Sequence, residues 1–158
     1  MVLVNNVVEK DMKISLQADL GFRLLLFLSH LPQGSHKSVR VASGLLSVSY
    51  EHLNKVSKIL VQNGYLRSVR GSQGGVALNM APESVRLLDV FCLLEPDLQL
   101  IDCAGGKRGP CVFLPSCKLK TLFSDATEAF LDTLAPYSLA DIMPSSDVFG
   151  VIDGDRGG

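Results

Sequence analysis

The sequence predicts a mainly α-helical fold with one small β-hairpin, a winged helix-turn-helix module followed by a long dimerisation helix. Three observations carry that expectation. Two short helical segments flank a three-residue turn, Ser47-Val48-Ser49; a basic alternating segment with the tip Gly71-Ser72-Gln73-Gly74-Gly75 follows; and residues 118–134 form one long amphipathic stripe. At 158 residues the chain is long enough for one core with an appended subunit-contact element, and too short for a large barrel.

Each element has a local reason. Leu20, Leu24, Leu25 and Leu28 recur at helical spacing, so a first helix is expected to about residue 31, capped by Asp19 or Ser15 and ended by Pro32, Gln33 and Gly34. Ser38 can cap a short second helix to about residue 46. The third, over 49–63, turns Leu53, Val56 and Leu60 inward and Glu51, Lys55 and Lys58 outward, with Gly64 as its stop. Residues 65–70 alternate as a strand and Val76-Ala77-Leu78 returns, which makes the wing. Its glycines permit positive φ and close approach of the backbone to a phosphate, although a tight turn alone would also use them.

A further helix is expected over 82–94, with Val85, Leu88, Phe91 and Cys92 on its apolar side, ending before Pro96. In the last helix Leu119, Leu122, Phe123, Ala126, Phe130 and Leu134 share one stripe. A domain that already has a core has little use for so long a stripe, so it is read as a dimer contact rather than as packing on its own core. The domain limits are then a 1–11 extension, a 12–80 winged helix, an 81–143 cysteine loop with dimer helix, and a disordered 144–158 tail.

Composition narrows the function. Hydrophobic residues make up 47% and charged residues 20%, no apolar run approaches a membrane span, and Glu9, Lys10 and Asp11 interrupt any signal-peptide core, so a cytoplasmic protein is expected. The net charge of -1 hides +5 over residues 1–80 and −6 over 81–158. A basic first half suits a polyanion such as duplex DNA, though solvated faces would give the same count. No nucleophile–base pair or nucleotide-binding loop is evident, and no enzymatic activity is expected.

All four cysteines, 92, 103, 111 and 117, lie in the second half. Cys103, Cys111 and Cys117 stand seven and five residues apart on a Gly/Pro-rich loop, too wide for zinc-ribbon pairs, and no C-x-x-C occurs. Three thiolates that can curl around a volume larger than one ion fit an iron–sulfur cluster, whereas Cys92 is read as a core thiol.

Ala18-Asp19-Leu20-Gly21-Phe22-Arg23, Val69-Arg70-Gly71-Ser72-Gln73-Gly74-Gly75 and Leu94-Glu95-Pro96, together with the cysteine loop, resemble the Rrf2 family of dimeric winged-helix transcription regulators over about residues 12–143. Within that family Cys117-Lys118-Leu119-Lys120 and Tyr137-Ser138-Leu139-Ala140-Asp141 are most similar to its nitric-oxide-sensing repressors. The resemblance implies a cluster, 4Fe–4S favoured over 2Fe–2S, on Cys103, Cys111 and Cys117, with Asp19 of the partner subunit as fourth ligand. The first cysteine interval, seven residues, is longer than the four or five of relatives, and Lys120 stands where the family's iron–sulfur biogenesis regulator has a histidine ligand.

A winged helix places its third helix in the major groove, which makes Tyr50, His52, Asn54 and Lys55 candidate DNA contacts. Arg70, with Ser72, Gln73, Gly74 and Gly75 at the tip, would reach the neighbouring minor groove. His52 and Lys55 would equally suit a solvated face. A homodimer would read an inverted-repeat operator, with nitric oxide as the signal. The alternatives are an iron- or redox-responsive regulator of the same family and a cluster-carrying redox or interaction protein.

Overall fold

The computed structural model describes residues 13–71, 73–98, 100–101, 111, 113 and 116–144. Ser72, Cys103, the 1–11 extension and the tail beyond Pro144 lie outside the described residues.

Helix α1 (Leu16–Ser29) starts at Ser15, whose Oγ accepts from the Ala18 amide at 3.2 Å. Asp19 is therefore not the cap; it lies in the first turn. Helix α2 (Val39–Leu45) repeats the device, with Ser38 Oγ accepting from the Val41 amide. The turn after it places Ser47 at φ 53, and the Val48 amide donates to Ser43 O at 3.0 Å. That is a Schellman closure achieved without glycine. Helix α3 (Tyr50–Gln62) ends in the same closure, here with Gly64 at φ 80 and the Tyr65 amide donating to Leu60 O at 3.0 Å.

Strands β1 (Leu66–Val69) and β2 (Gly75–Leu78) pair antiparallel, Leu66 facing Leu78 and Val69 facing Gly75. Lys37 adds a single bridge on the other edge of β2, exchanging hydrogen bonds with Val76 at 3.1 and 2.9 Å. This explains Gly75, because a Cβ there would collide with the Lys37 carbonyl; one on Gly74 would strike the Val69 carbonyl. Only Gly71 of the tip glycines has positive φ.

The core joins Leu20, Leu24, Leu25 and Leu28 of α1 to Leu53, Val56 and Leu60 of α3, all at most 4% exposed, so the inward faces read from periodicity are correct. Burying such side chains contributes about 1.5–3 kcal/mol each.

The helix expected over 82–94 is instead two elements. A 3₁₀ turn (Pro82–Ser84) gives way to extended backbone at Val85, and α4 (Leu87–Leu94) begins only after Arg86. The reason is distant pairing: the Leu139 amide donates to Val85 O at 2.8 Å and the Leu87 amide to Tyr137 O at 3.1 Å. The break shifts the helical phase, so α4 buries Leu87, Val90, Phe91 and Leu94. Cys92 falls on the exposed side, which overturns its reading as a core thiol.

Helix α5 (Lys118–Leu134) spans the expected residues and none of them is buried. Its inner side leans on α4 through an edge-to-face contact of Phe91 and Phe130, centroids 5.3 Å apart, while Leu119 and Leu122 are more than half exposed. Arg86 Nη2 donates to Ala135 O at 2.6 Å and so satisfies a terminal carbonyl of α5. The last element among the described residues is a 3₁₀ turn (Ala140–Ile142).

Candidate nucleic-acid interface and cysteine loop

The outward side of α3 presents exposed Glu51, His52, Lys55 and Lys58, with Tyr50 and Asn54 half-buried at its edges. Burial of Leu53, Val56 and Leu60 at helical spacing fixes which side that is. Asn54 lines a groove between α3 and the hairpin, shared with Val39, Lys58, Ser68 and Gly75. Arg70 and Gln73 are exposed on the wing, Gly74 and Gly75 half-buried. The structure thus brings every described candidate of the interface to α3 or the wing.

Three contacts orient this surface and are invisible in local sequence. The Arg40 guanidinium lies 4.3 Å from the centroid of the Tyr50 ring, joining the starts of α2 and α3. Such a stack holds a cationic fork in a fixed orientation. At the wing, His36 Nε2 lies 2.9 Å from Gln73 O, a pairing made when that nitrogen carries the proton. Arg67 Nη2 donates to Gly34 O at 3.3 Å, so β1 and the wing tip are both tied to the loop before α2. Arg40 and Arg67 escape sequence reading because only the fold aligns them with the third helix. Lys58 did carry a signal, three residues after Lys55 on the outward side.

The cysteines are less gathered. Cys111 and Cys117 are free thiols, each partly exposed, and Cys117 is the residue from which α5 starts, its carbonyl accepting from the Thr121 amide at 3.4 Å. Among the described residues no three His, Cys, Asp or Glu side chains converge on one point. Asp19 faces outward on α1, and its Oδ1 accepts from Arg23 Nε at 3.0 Å. Two accessible soft donors separated by five residues in sequence fit a group that prefers thiolates. Asp19 is an available hard donor on the surface, open to a second molecule.

A family model described as an iron-dependent transcriptional regulator matches residues 14–145, which takes in α1 through the final 3₁₀ turn. The chain belongs to the Rrf2 family. The HTH-type transcriptional regulator NsrR of Bacillus licheniformis is 33% identical over 136 residues, covering 86% of this chain and 95% of that protein. NsrR of Halalkalibacterium halodurans is 32% identical over the same length, 86% of this chain and 93% of its own. Among solved structures, oxidised Staphylococcus aureus CymR superposes with a TM-score of 0.63 at 26% identity, over 81% of this chain and 93% of its own. T. potens IscR gives 0.64 at 19% identity over 93% of each, which speaks to fold alone. This Rrf2 protein is accordingly a DNA-binding transcriptional regulator with the winged helix expected from its sequence. No described helix is long and apolar enough to cross a membrane.

Proposed function

We propose that this protein is a homodimeric repressor whose operator affinity is set by an iron–sulfur cluster on Cys103, Cys111 and Cys117, completed by Asp19 of the partner subunit, with nitric oxide as the signal. The observation that carries the reading is the placement of two free, accessible thiols, Cys111 and Cys117, at the entry to α5, a helix with no buried residue of its own. The relatives at 32–33% identity bear the name NsrR and lend it support.

The protein's residues would divide the work as follows. Cys117 fixes one thiolate to the start of α5, so occupancy of the loop is felt at the helix that meets the second copy. Along that helix Leu119, Leu122, Ala126, Ala129 and Thr133 are all exposed and recur at alternating intervals of three and four, the pattern of a two-helix seam. Asp19 pairs with Arg23 through Oδ1, so Oδ2 would serve as the ligand atom, and Arg23 would keep the carboxylate placed when the ligand is lost. When bound, the cluster supplies an iron that a small diatomic molecule can attack, and an oxygen ligand holds that iron less tightly than thiolate does. On the DNA side, α3 would enter the major groove with Tyr50, His52, Asn54 and Lys55, while Arg70, Ser72, Gln73, Gly74 and Gly75 follow the adjacent groove. Two such modules related by a two-fold axis call for an inverted-repeat operator.

Anaerobic purification followed by an absorption spectrum, native mass measurement and operator titration tests the whole reading. Visible iron–sulfur bands, a dimer mass and tighter operator binding by one cluster state are expected. A colourless protein whose operator binding is indifferent to nitric oxide would overturn it.

A further inference from the structure

We infer that Glu95 is a positioning residue that carries the state of the cysteine loop to the first turn of α1 in the same chain, an inference that rests on the cluster reading above. The Ser15 amide donates to Glu95 Oε2 at 2.8 Å across 80 residues of sequence. Ser15 is the cap of α1, and a capping box would normally satisfy its amide with a Glu or Gln three residues on. That position is Ala18, which has no acceptor, so the carboxylate comes from the end of α4.

Neighbouring contacts make this a joint rather than a lone bond. Gln17 Nε2 donates to Leu94 O at 3.1 Å. Gly21 lets Leu94 lie directly on α1, because a Cβ at Gly21 would collide with Leu94 Cδ1. The same point stands 3.4 Å from Val56 Cγ1 of α3, so α1, α3 and α4 meet at one glycine. The Asp19 amide donates to Ser15 O at 3.1 Å, which puts Asp19 in the turn that Glu95 clamps. From Glu95 the chain runs through Pro96 into the cysteine loop. A continuous set of contacts therefore leads from the root of that loop to Asp19 on one side and to the third helix on the other. Packed contacts of this kind have discrete arrangements, and they can pass a displacement where a flexible linker would absorb it.

The test compares operator affinity of cluster-loaded and apo protein for wild type, Glu95→Ala and Glu95→Gln, with hydrogen exchange at the Ser15 amide as a second readout. Coupling of this kind spans about 5–150-fold in affinity. We expect Glu95→Ala to keep its cluster, to deprotect Ser15, and to bring the loaded-to-apo ratio within about threefold of one, below the lower edge of that span. Glu95→Gln, whose amide oxygen still accepts from Ser15, should restore the wild-type ratio. Should Glu95→Ala not fold, Glu95→Asp withdraws the acceptor by one methylene with the charge retained, and the same collapse is expected. A wild-type ratio in a variant whose Ser15 has lost protection overturns the role of Glu95. A wild type with no ratio of its own overturns the cluster reading and this inference with it, a result separable from the first because Ser15 protection would still follow residue 95.

Discussion

Arg23 Nε donates to the Asp19 carboxylate at 3.0 Å, one turn along the exposed face of α1. The pair is more than a third exposed on both sides, so solvent screening leaves it about 0.3–0.5 kcal/mol at most. Because Ser15 caps the helix, Asp19→Asn should leave the fold untouched, with a melting midpoint close to wild type. Cluster stability should nonetheless change, since the substitution takes an anionic oxygen from the proposed iron ligand. One anaerobic nitric oxide titration of both proteins decides the matter. Superimposable curves would make Asp19 no more than Arg23's partner.

On the DNA side, Arg70→Ala should weaken operator binding by about 1–3 kcal/mol if the side chain reads a groove. Arg40→Ala should lower the dependence on salt by about one counterion, as a lost phosphate contact does. Tyr50→Phe keeps the ring under Arg40 and should bind nearly as wild type, whereas Tyr50→Ala releases the guanidinium and should follow Arg40→Ala. Fluorescence anisotropy over a salt series measures all four. Equal losses in Tyr50→Phe and Tyr50→Ala would show that the hydroxyl, not the stack, matters.

The cysteines should separate by place. Cys92 is exposed on α4, away from any core role, so Cys92→Ser should leave both melting and iron content unchanged. Single Ser substitutions at Cys103, Cys111 and Cys117 should abolish cluster retention while the apo protein still melts cooperatively. Iron and acid-labile sulfide per chain give the answer, and iron loss confined to Cys92→Ser would refute the ligand assignment.

What could be read from the sequence was local. Helices α1 to α3 follow from Ser15, Ser38 and Gly64 and from apolar spacing, all within a few residues of the feature they set, and the wing follows from alternation and its glycines. The break at Val85 was illegible because its cause, Leu139, lies 54 residues on, and apolar periodicity runs smoothly through the gap. The same shift in phase puts Cys92 on the exposed side of α4. Asp19 and Ser15 were indistinguishable as caps until the Ala18 amide selected one. The stack of Arg40 on Tyr50 and the clamp of Glu95 on Ser15 join elements with no shared sequence signal.

Stability should also fall on the acid side for a specific reason. Asp141 Oδ2 accepts from both the Ser138 hydroxyl and the Ser138 amide at 2.7 Å. The hydroxyl first, then the amide, hold its carboxyl below the ordinary aspartate range. A carboxyl lowered by folding adds stability above its unfolded pKa, about 3.9, and that contribution disappears as pH falls through the lowered folded value. Chemical denaturation of wild type and Asp141→Asn should therefore differ most near neutrality, begin to close at about pH 4 and converge only below the lowered folded value. A gap that is constant with pH would assign the effect to hydrogen-bond shape rather than charge.

The proposed dimer would rest on a face that the single chain leaves open. Leu119 is 56% and Leu122 63% exposed, and they continue through Ala126 and Ala129 along one line of α5, while Phe123, Phe130 and Leu134 lean inward on the other side. Because α5 buries nothing fully in its own chain, Leu122→Glu costs the isolated fold little, yet in a paired helix it would set two carboxylates into an apolar seam. Analytical ultracentrifugation should show wild type as a dimer and Leu122→Glu as a folded monomer with native helical circular dichroism. Operator affinity should fall steeply with it, since each half then binds alone and the gain from linking two sites, about 10²–10⁴-fold, is lost. The inward-facing control, Phe130→Ala, should instead lower stability by about 3–5 kcal/mol or less, because the ring it loses is only half-buried against Phe91. A dimer that survives Leu122→Glu would move the subunit contact off this seam.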